Sequence, residues 1–413
     1  MKIKVKPEDF VVREQSELTL SGRRDRYAVY ALTKRSWDTF DLLDYLSRRL
    51  RLARQDISVG GIKDRFGHTE QLVSVRAAGG LPARLQEGNF SLELRGYAPE
   101  PVTARAVAGN RFTITVRDID PRLEAGCLAA VEAVRVWGLP NYFDEQRFGS
   151  ARHGRGFMGK ELYLGHRERA LRLYFTPSRH DDRRTRELKS RVIERWGRWT
   201  ECLEPAFGDY RRVLEYLAGH HGAFTRALGL LDRRYLVFVL NAYQSYLYNQ
   251  ILSGYLQRLA EQQGLTLLER AWLWGSFLFY ERLPEDLSER LRGVQLPVPG
   301  YDSLLPDPEI RAITEGVLQL EGLALADLKV RQLSRLQVHG VERGMIVVPE
   351  DLQVSDLGAD ELYPGRRRLT LDFSLPRGSY ATLIVKRLQA VPLRPNSLRP
   401  ARSYPGGDEN RRG

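Results

Sequence analysis

One carboxylate in this chain stands in a setting suited to chemistry. Residues 60–71 read Gly60-Gly61-Ile62-Lys63-Asp64-Arg65-Phe66-Gly67-His68-Thr69-Glu70-Gln71, so Asp64 lies between two cations and inside a glycine bracket. Adjacent positive charge favours the ionised form of a carboxylate, the form a nucleophile requires. Glycine lets a backbone or a ligand approach closely. A polar turn between two strands, with Lys63 and Arg65 solvated, uses the same residue types.

Three further clusters carry candidate binding groups. The first is Asn141-Tyr142-Phe143-Asp144-Glu145-Gln146-Arg147-Phe148-Gly149. It offers rings to stack on, amides for a base edge and an arginine for a phosphate, which suits a base turned out of its stack. The competing reading is a connection to a second domain in which Phe143 and Phe148 plug a core. The second, 372–382, reads as a strand, a tight turn at Pro376 to Gly378 and another strand, hence a hairpin. The third, 242–250, places Tyr243, Tyr246 and Tyr248 on a helix, where packing is the simpler role than contact with a ligand.

The elements that position these clusters follow from periodicity. Strands are expected at 2–13 (broken at Pro7), 27–32, 71–76 and 111–116, where Phe112, Ile114 and Val116 share a face. Phe40, Leu43, Leu46 and Leu50 predict a helix over 37–50, capped by Ser36 or Asp38. A second helix spans 123–137 and stops at Gly138 and Pro140. Residues 141–160, rich in Gly, Arg and aromatics, form a functional loop or hinge. Helices dominate 183–340; the longest covers 234–259, with Leu236, Leu240, Leu247 and Ile251 in phase. Strands return at 369–373 and 380–385. This order predicts a discontinuous α+β domain, strand-rich at both ends of the chain, with a helical domain inserted into it; 391–413 is a disordered tail.

Composition narrows the class. The 413 residues carry 64 Lys and Arg against 52 Asp and Glu, a net charge of +12. Such a chain attracts polyanions, nucleic acid or anionic lipid. The start lacks a secretory pattern, and the longest nearly apolar stretch, 271–280, is too short to span a membrane. A cytoplasmic protein is expected. Two cysteines without metal spacing, and no HExxH, predict no disulfide framework and no metal. No glycine-rich dinucleotide or Walker motif is present, and no cofactor is expected.

Taken together and in order, the motifs resemble the TruD family of pseudouridine synthases. GIKDRFGHTEQ is similar to that family's GxKDxxAxTxQ, NYFDEQRFG to NYFGxQRFG, LDFSLPRGSYAT to FxLPxGSxAT, and KVKPEDFVVRE to xPEDFxVxE. YQSYLYNQIL resembles a motif of the family's middle domain, and the likeness runs from residue 1 to about 388. The resemblance implies a catalytic synthase domain of the α+β class, a mixed and mainly antiparallel sheet with flanking helices over 1–152 plus 341–390, interrupted by a helix-rich α/β TruD-specific insertion at 153–340. It implies isomerisation of uridine in RNA, at position 13 of tRNA or in other RNAs, by a monomer. By position it makes Asp64 the catalyst and Lys4 its basic partner. Phe143 is then the ring against the target base, Asn141 the amide that orients its loop and reaches the aspartate region, and Phe373 a second cleft aromatic. Gln146 and Arg147 belong to the same substrate-binding motif. Gly67 replaces an alanine and His68 an apolar residue. Asp144 and Glu145 replace a Gly-x pair; the turn survives if Asp144 takes a left-handed conformation, and the added charge repels phosphate. A non-catalytic RNA-binding protein on the same scaffold is the alternative. A glycoside hydrolase is a poorer fit, since that class uses two placed carboxylates.

Overall fold

The computed structural model describes residues 1–76, 82–330, 333 and 336–393. The chain divides into two compact units. One is Met1–Leu139 with Val347–Gln389; the other is Pro140–Ile346 with the described residues from Ala390 on. The first crossing precedes the expected 152/153, and the second follows 340/341. The cause is local. The stretch read as a loop contains the 3-10 helix Glu145–Ala151, whose Phe148 and Ala151 are buried in the second unit's core.

The first unit is built on one sheet. Its strands are β1 (Phe10–Ser16), β2 (Tyr27–Arg35), β3 (Ile57–Val59), β4 (His68–Arg76), β5 (Arg84–Glu87), β6 (Phe90–Ala98), β7 (Val107–Ile119), β8 (Glu350–Ala359) and β9 (Arg367–Pro376). Their order is β8-β9-β7-β1-β4-β2-β6-β5, with β3 on β4. Among these pairings only β1 with β4 is parallel, so the sheet is mixed and mainly antiparallel, as expected. Alternation in β2 turns Ala28, Tyr30 and Leu32 onto the helix Thr39–Arg49. Asp38 caps that helix by accepting from the Phe40 and Asp41 amides. The buried stripe is Thr39, Leu42, Leu43 and Leu46, and Phe40, expected inside, is exposed. Both stripes fit a 3.6-residue period; packing selects the one centred on Leu42 and Leu43.

The expected hairpin at 372–382 is corrected. After β9 the chain turns at Gly378, with φ 82°, and enters the helix Thr382–Leu388. Leu383, Ile384, Val385 and Leu388 are all buried there. A short apolar run with β-branched residues has strand propensity, yet a segment buried on every side has no alternation to report.

The second unit surrounds the helix Arg233–Gln263, which ends at Gly264 in the left-handed region. From Ala242 to Asn249 every residue of that helix is buried, so it is a core element rather than an amphipathic one. The apolar stretch at 271–280 spans a hairpin of Leu267–Trp272 and Gly275–Tyr280. Val391–Pro392 adds to its edge, so the start of the expected tail is a strand; 394–413 lie outside the described residues.

A buried ionic network ties the N-terminus to β7. The Arg117 guanidinium donates to both oxygens of Asp9 at 2.9 Å, to Asp360 at 3.0 Å and pairs with Glu361 at 2.9 Å. Asp9 also accepts from the Lys6 amide, and the Lys2 and Arg117 backbones exchange two 2.8 Å hydrogen bonds. Residues 2–9 are thereby fixed at both ends. Removing the cation strands two buried carboxylates, the costly way to break such a network. Arg117→Met should therefore lower the unfolding free energy by about 3–5 kcal/mol. Urea denaturation measures it, and a change under about 1 kcal/mol would show that the network does not anchor this segment.

Candidate active site

The Asp64 loop bridges β3 and β4. Lys4 Nζ donates to Asp64 Oδ1 at 2.8 Å, and both side chains keep some access to solvent. Lys4 has φ 60°, a left-handed conformation unfavourable for lysine, which locates backbone strain at the pair. Its ammonium also stands 4.1 Å from the centre of the Phe10 ring. Phe10 packs edge-on against Phe112, and Phe112 stacks on Phe373 at 5.5 Å. Phe373 is wholly buried and backs this row of rings. The residue expected as a second cleft aromatic is thus buried in β9, whose Ser374 and Leu375 are buried beside it.

The loop itself is clamped from β2. Lys34 Nζ donates to the carbonyls of Asp64 at 2.7 Å, Trp37 at 2.8 Å and Lys63 at 3.4 Å. Thr39 Oγ1 bonds both the amide and the carbonyl of Lys63. The competing reading of a polar turn leaves Lys63 solvated; instead its amine turns inward to Glu14 at 2.6 Å and Asn110 at 2.8 Å. His68, at the start of β4, is lowered in pKa by burial and by Arg35 and Arg13.

The second group of expected residues lies wholly within the second unit. Phe143 is held by its backbone: Asn249 accepts from its amide at 2.9 Å and donates to its carbonyl at 2.8 Å. Tyr248 meets its ring edge-on at 5.3 Å. Arg147 Nε donates to Ser245 at 3.0 Å. The helix residues read as packing thus do pack, and their polar neighbours hold the loop. Asn141 is committed to Gly344 and to Arg343, whose guanidinium bonds the Asn141 side chain and carbonyl and sits 4.2 Å over the Phe143 ring. Gln146 is exposed on the 3-10 helix. Asp144 is buried and extended, with φ −84°, so it neither takes the left-handed turn nor faces solvent as expected.

Lys34, Thr39 and Arg343 were missed by the sequence reading. Lys34 had a signal, since it keeps the phase of buried Ala28, Tyr30 and Leu32 in β2. Arg343 had none, because about two hundred residues separate it from Asn141.

The model for the family "TruD: tRNA pseudouridine synthase D (TruD)" matches residues 1–388. This chain belongs to the TruD family. It is 31% identical to a Methanococcus maripaludis protein named "Probable tRNA pseudouridine synthase D 1", over 94% of this chain and 99% of that one. It is 27% identical to the tRNA pseudouridine synthase D of Aquifex aeolicus, over 94% and 98%. A crystal structure of a TruD protein from Methanosarcina mazei superposes with a TM-score of 0.70 at 26% identity, covering 94% of this chain and 92% of that one.

Gly67, which departs from the alanine of the motif named above, has no room for one: a Cβ there would lie 2.6 Å from the Phe10 carbonyl oxygen. β1 runs too close to the loop here for any side chain.

The Lys34 clamp also has a pH signature. Burial pushes Lys34 down to about 8 from 10.5; Asp38 and Asp64 oppose this, and Lys63 adds to it. The folded value lies below the unfolded one, so the unfolded chain holds more protons between about 8 and 10.5. Stability from this group therefore rises with pH across that window, by at most about 1.4 kcal/mol per pH unit. Lys34→Met lacks this dependence. The unfolding free energy of the wild type minus that of the variant, measured in urea, should grow from pH 8 to 10.5; a flat difference would refute the assignment.

Proposed function

We propose that this chain isomerises uridine to pseudouridine in tRNA, at position 13, with Asp64 as the covalent catalyst and Lys4 as the cation that holds it. The observation that carries the reading is the 2.8 Å Lys4–Asp64 pair, partly open to solvent, on the TruD motif. TruD membership makes the chain an RNA pseudouridine synthase, an isomerase. In this reading the second unit is the TruD-specific insertion.

The reaction breaks the bond from C1′ to N1 of uracil, turns the base and joins C1′ to C5. N1 gains a proton and C5 loses one, so the change is redox-neutral and calls for no nicotinamide or flavin. An ionised carboxylate at C1′ captures or stabilises the electron-poor sugar carbon while the base is free. The base must first leave its stack, at a cost of a few kcal/mol. Phe143 supplies the ring that retains the freed uracil, and Arg343 and Asn249 fix that ring in place. Arg147 and Gln146 contact the RNA next to it. Contacts from the chain's excess cations to phosphate offset the cost of opening the RNA. No helix among the described residues is long and apolar enough to cross a membrane. The chain acts, in this reading, as a monomer on cytoplasmic tRNA.

Asp64→Asn should bind tRNA as the wild type does and form no product. Release of tritium from uridine labelled at C5 measures it, and full turnover by the variant would remove Asp64 from the mechanism. Phe143→Ala should lower kcat more than it raises the dissociation constant for tRNA. Equal losses in both would leave the ring a binding role alone.

A further inference from the structure

The Asp64 loop is pinned at Gly61, Lys63, Asp64 and Gly67, and its apolar side chains stand out between those points. Gly61 is held through its carbonyl by Gln71 at 3.0 Å, Lys63 and Asp64 by Lys34, and Gly67 is buried beneath the Phe10 carbonyl. Between these anchors Ile62 is 61% exposed and Phe66 63% exposed, on either side of Asp64. A loose loop can expose a phenyl ring by default; a loop fixed by this many hydrogen bonds holds it in water at a cost set by its apolar area. The Arg65 guanidinium lies 5.6 Å from the centre of that ring, and Arg13 and Arg35 lie beside His68 at the foot of the loop. Two exposed apolar side chains are too small a patch for a stable protein interface. A ring combined with arginines is what single-stranded nucleic acid uses, with one base on the ring and phosphates on the cations.

We propose that Phe66, flanked by Ile62, is a stacking platform for the unpaired nucleobase next to the target uridine. This rests on the proposed function and extends it. Turning the uridine out toward Asp64 leaves one face of its neighbour unstacked, and the Phe66 ring replaces the lost partner. The platform sits on the same pinned loop as the catalyst, so occupying it sets the register of the RNA on Asp64. Phe66 is a substrate-binding residue here and takes no part in bond making.

The test places 5-iodouridine or 5-iodocytidine immediately 5′ or 3′ of the target uridine in full-length tRNA and uses Asp64→Asn protein, which holds the RNA without turnover. Long-wavelength irradiation should join one of the two labelled nucleotides to Phe66, identified by mass spectrometry. In the otherwise wild-type enzyme, Phe66→Ala should lower kcat/KM by about 5- to 150-fold, the range of base–aromatic stacking. Phe66→Tyr should restore it, and neither change should shift the unfolding midpoint, because the ring is exposed. Retained tRNA binding with no cross-link to Phe66 from either position overturns the platform and leaves the proposed function standing. An unchanged kcat/KM in Phe66→Ala does the same. Absence of both tRNA binding and pseudouridine formation in the wild type overturns the two together.

Discussion

The ion pair between Lys4 and Asp64 is the constraint around which the first unit is arranged, and it contributes little to holding that unit together. A lysine–carboxylate pair with some access to water is worth at most about 1 kcal/mol. The two residues come from the extreme N-terminus and from a loop sixty residues later. Each is therefore brought to the other by stronger, drier interactions. On one side Arg117, with Asp9 and Asp360, fixes residues 2–9 so firmly that Lys4 sits at φ 60°. On the other side Lys34 and Thr39 fix the peptide that carries Asp64. The fold holds the pair in register, and the strain at Lys4 is what that costs.

The second unit solves a similar problem with different means. The backbone of the NYFDEQRFG loop is read by the side chains of a helix that is itself core. Asn249 satisfies both backbone polar groups of Phe143, and Ser245 takes Arg147. Such residues are uncommon in a helix buried on all sides, because an unpaired amide there costs about 1–3 kcal/mol. Their presence identifies the helix as a scaffold for the loop. Arg343 adds a second clamp, bonded to Asn141 and lying over Phe143, so one face of that ring is already occupied by a cation.

What the sequence made legible follows the range of each interaction. Caps and periodicity are local, and the Asp38 cap and the Gly138 stop were readable from neighbouring residues. The motif strings placed Asp64 and Lys4, and the structure brings those two together. The helix Thr382–Leu388 was misread because burial on all sides erases periodicity. Phe373 was named from a motif string, which does not report burial, and the structure stacks it, wholly buried, on Phe112. Asp144 shows the same limit for charge: the string suggests a carboxylate facing RNA, while the backbone turns it into the interior. The Arg343 contact is non-local and left no trace in spacing.

Lys34 shows why the site is built as it is. Three carbonyls, from Trp37, Lys63 and Asp64, converge on one point inside the unit. Each accepts from Lys34, and the Lys63 carbonyl accepts from Thr39 as well; a buried carbonyl without a donor is costly. A hydroxyl brings one hydrogen and an amide two, and a guanidinium spreads its five over a rigid plane. Only an ammonium directs three donors from a single atom. Its burial is unfavourable in itself, and the depressed pKa of about 8 records that cost. A core chosen for stability alone would put an apolar side chain at this phase of β2 and let the 63–64 peptide face water. Placing a lysine there gives up stability to fix one peptide in one orientation, and that peptide carries Asp64.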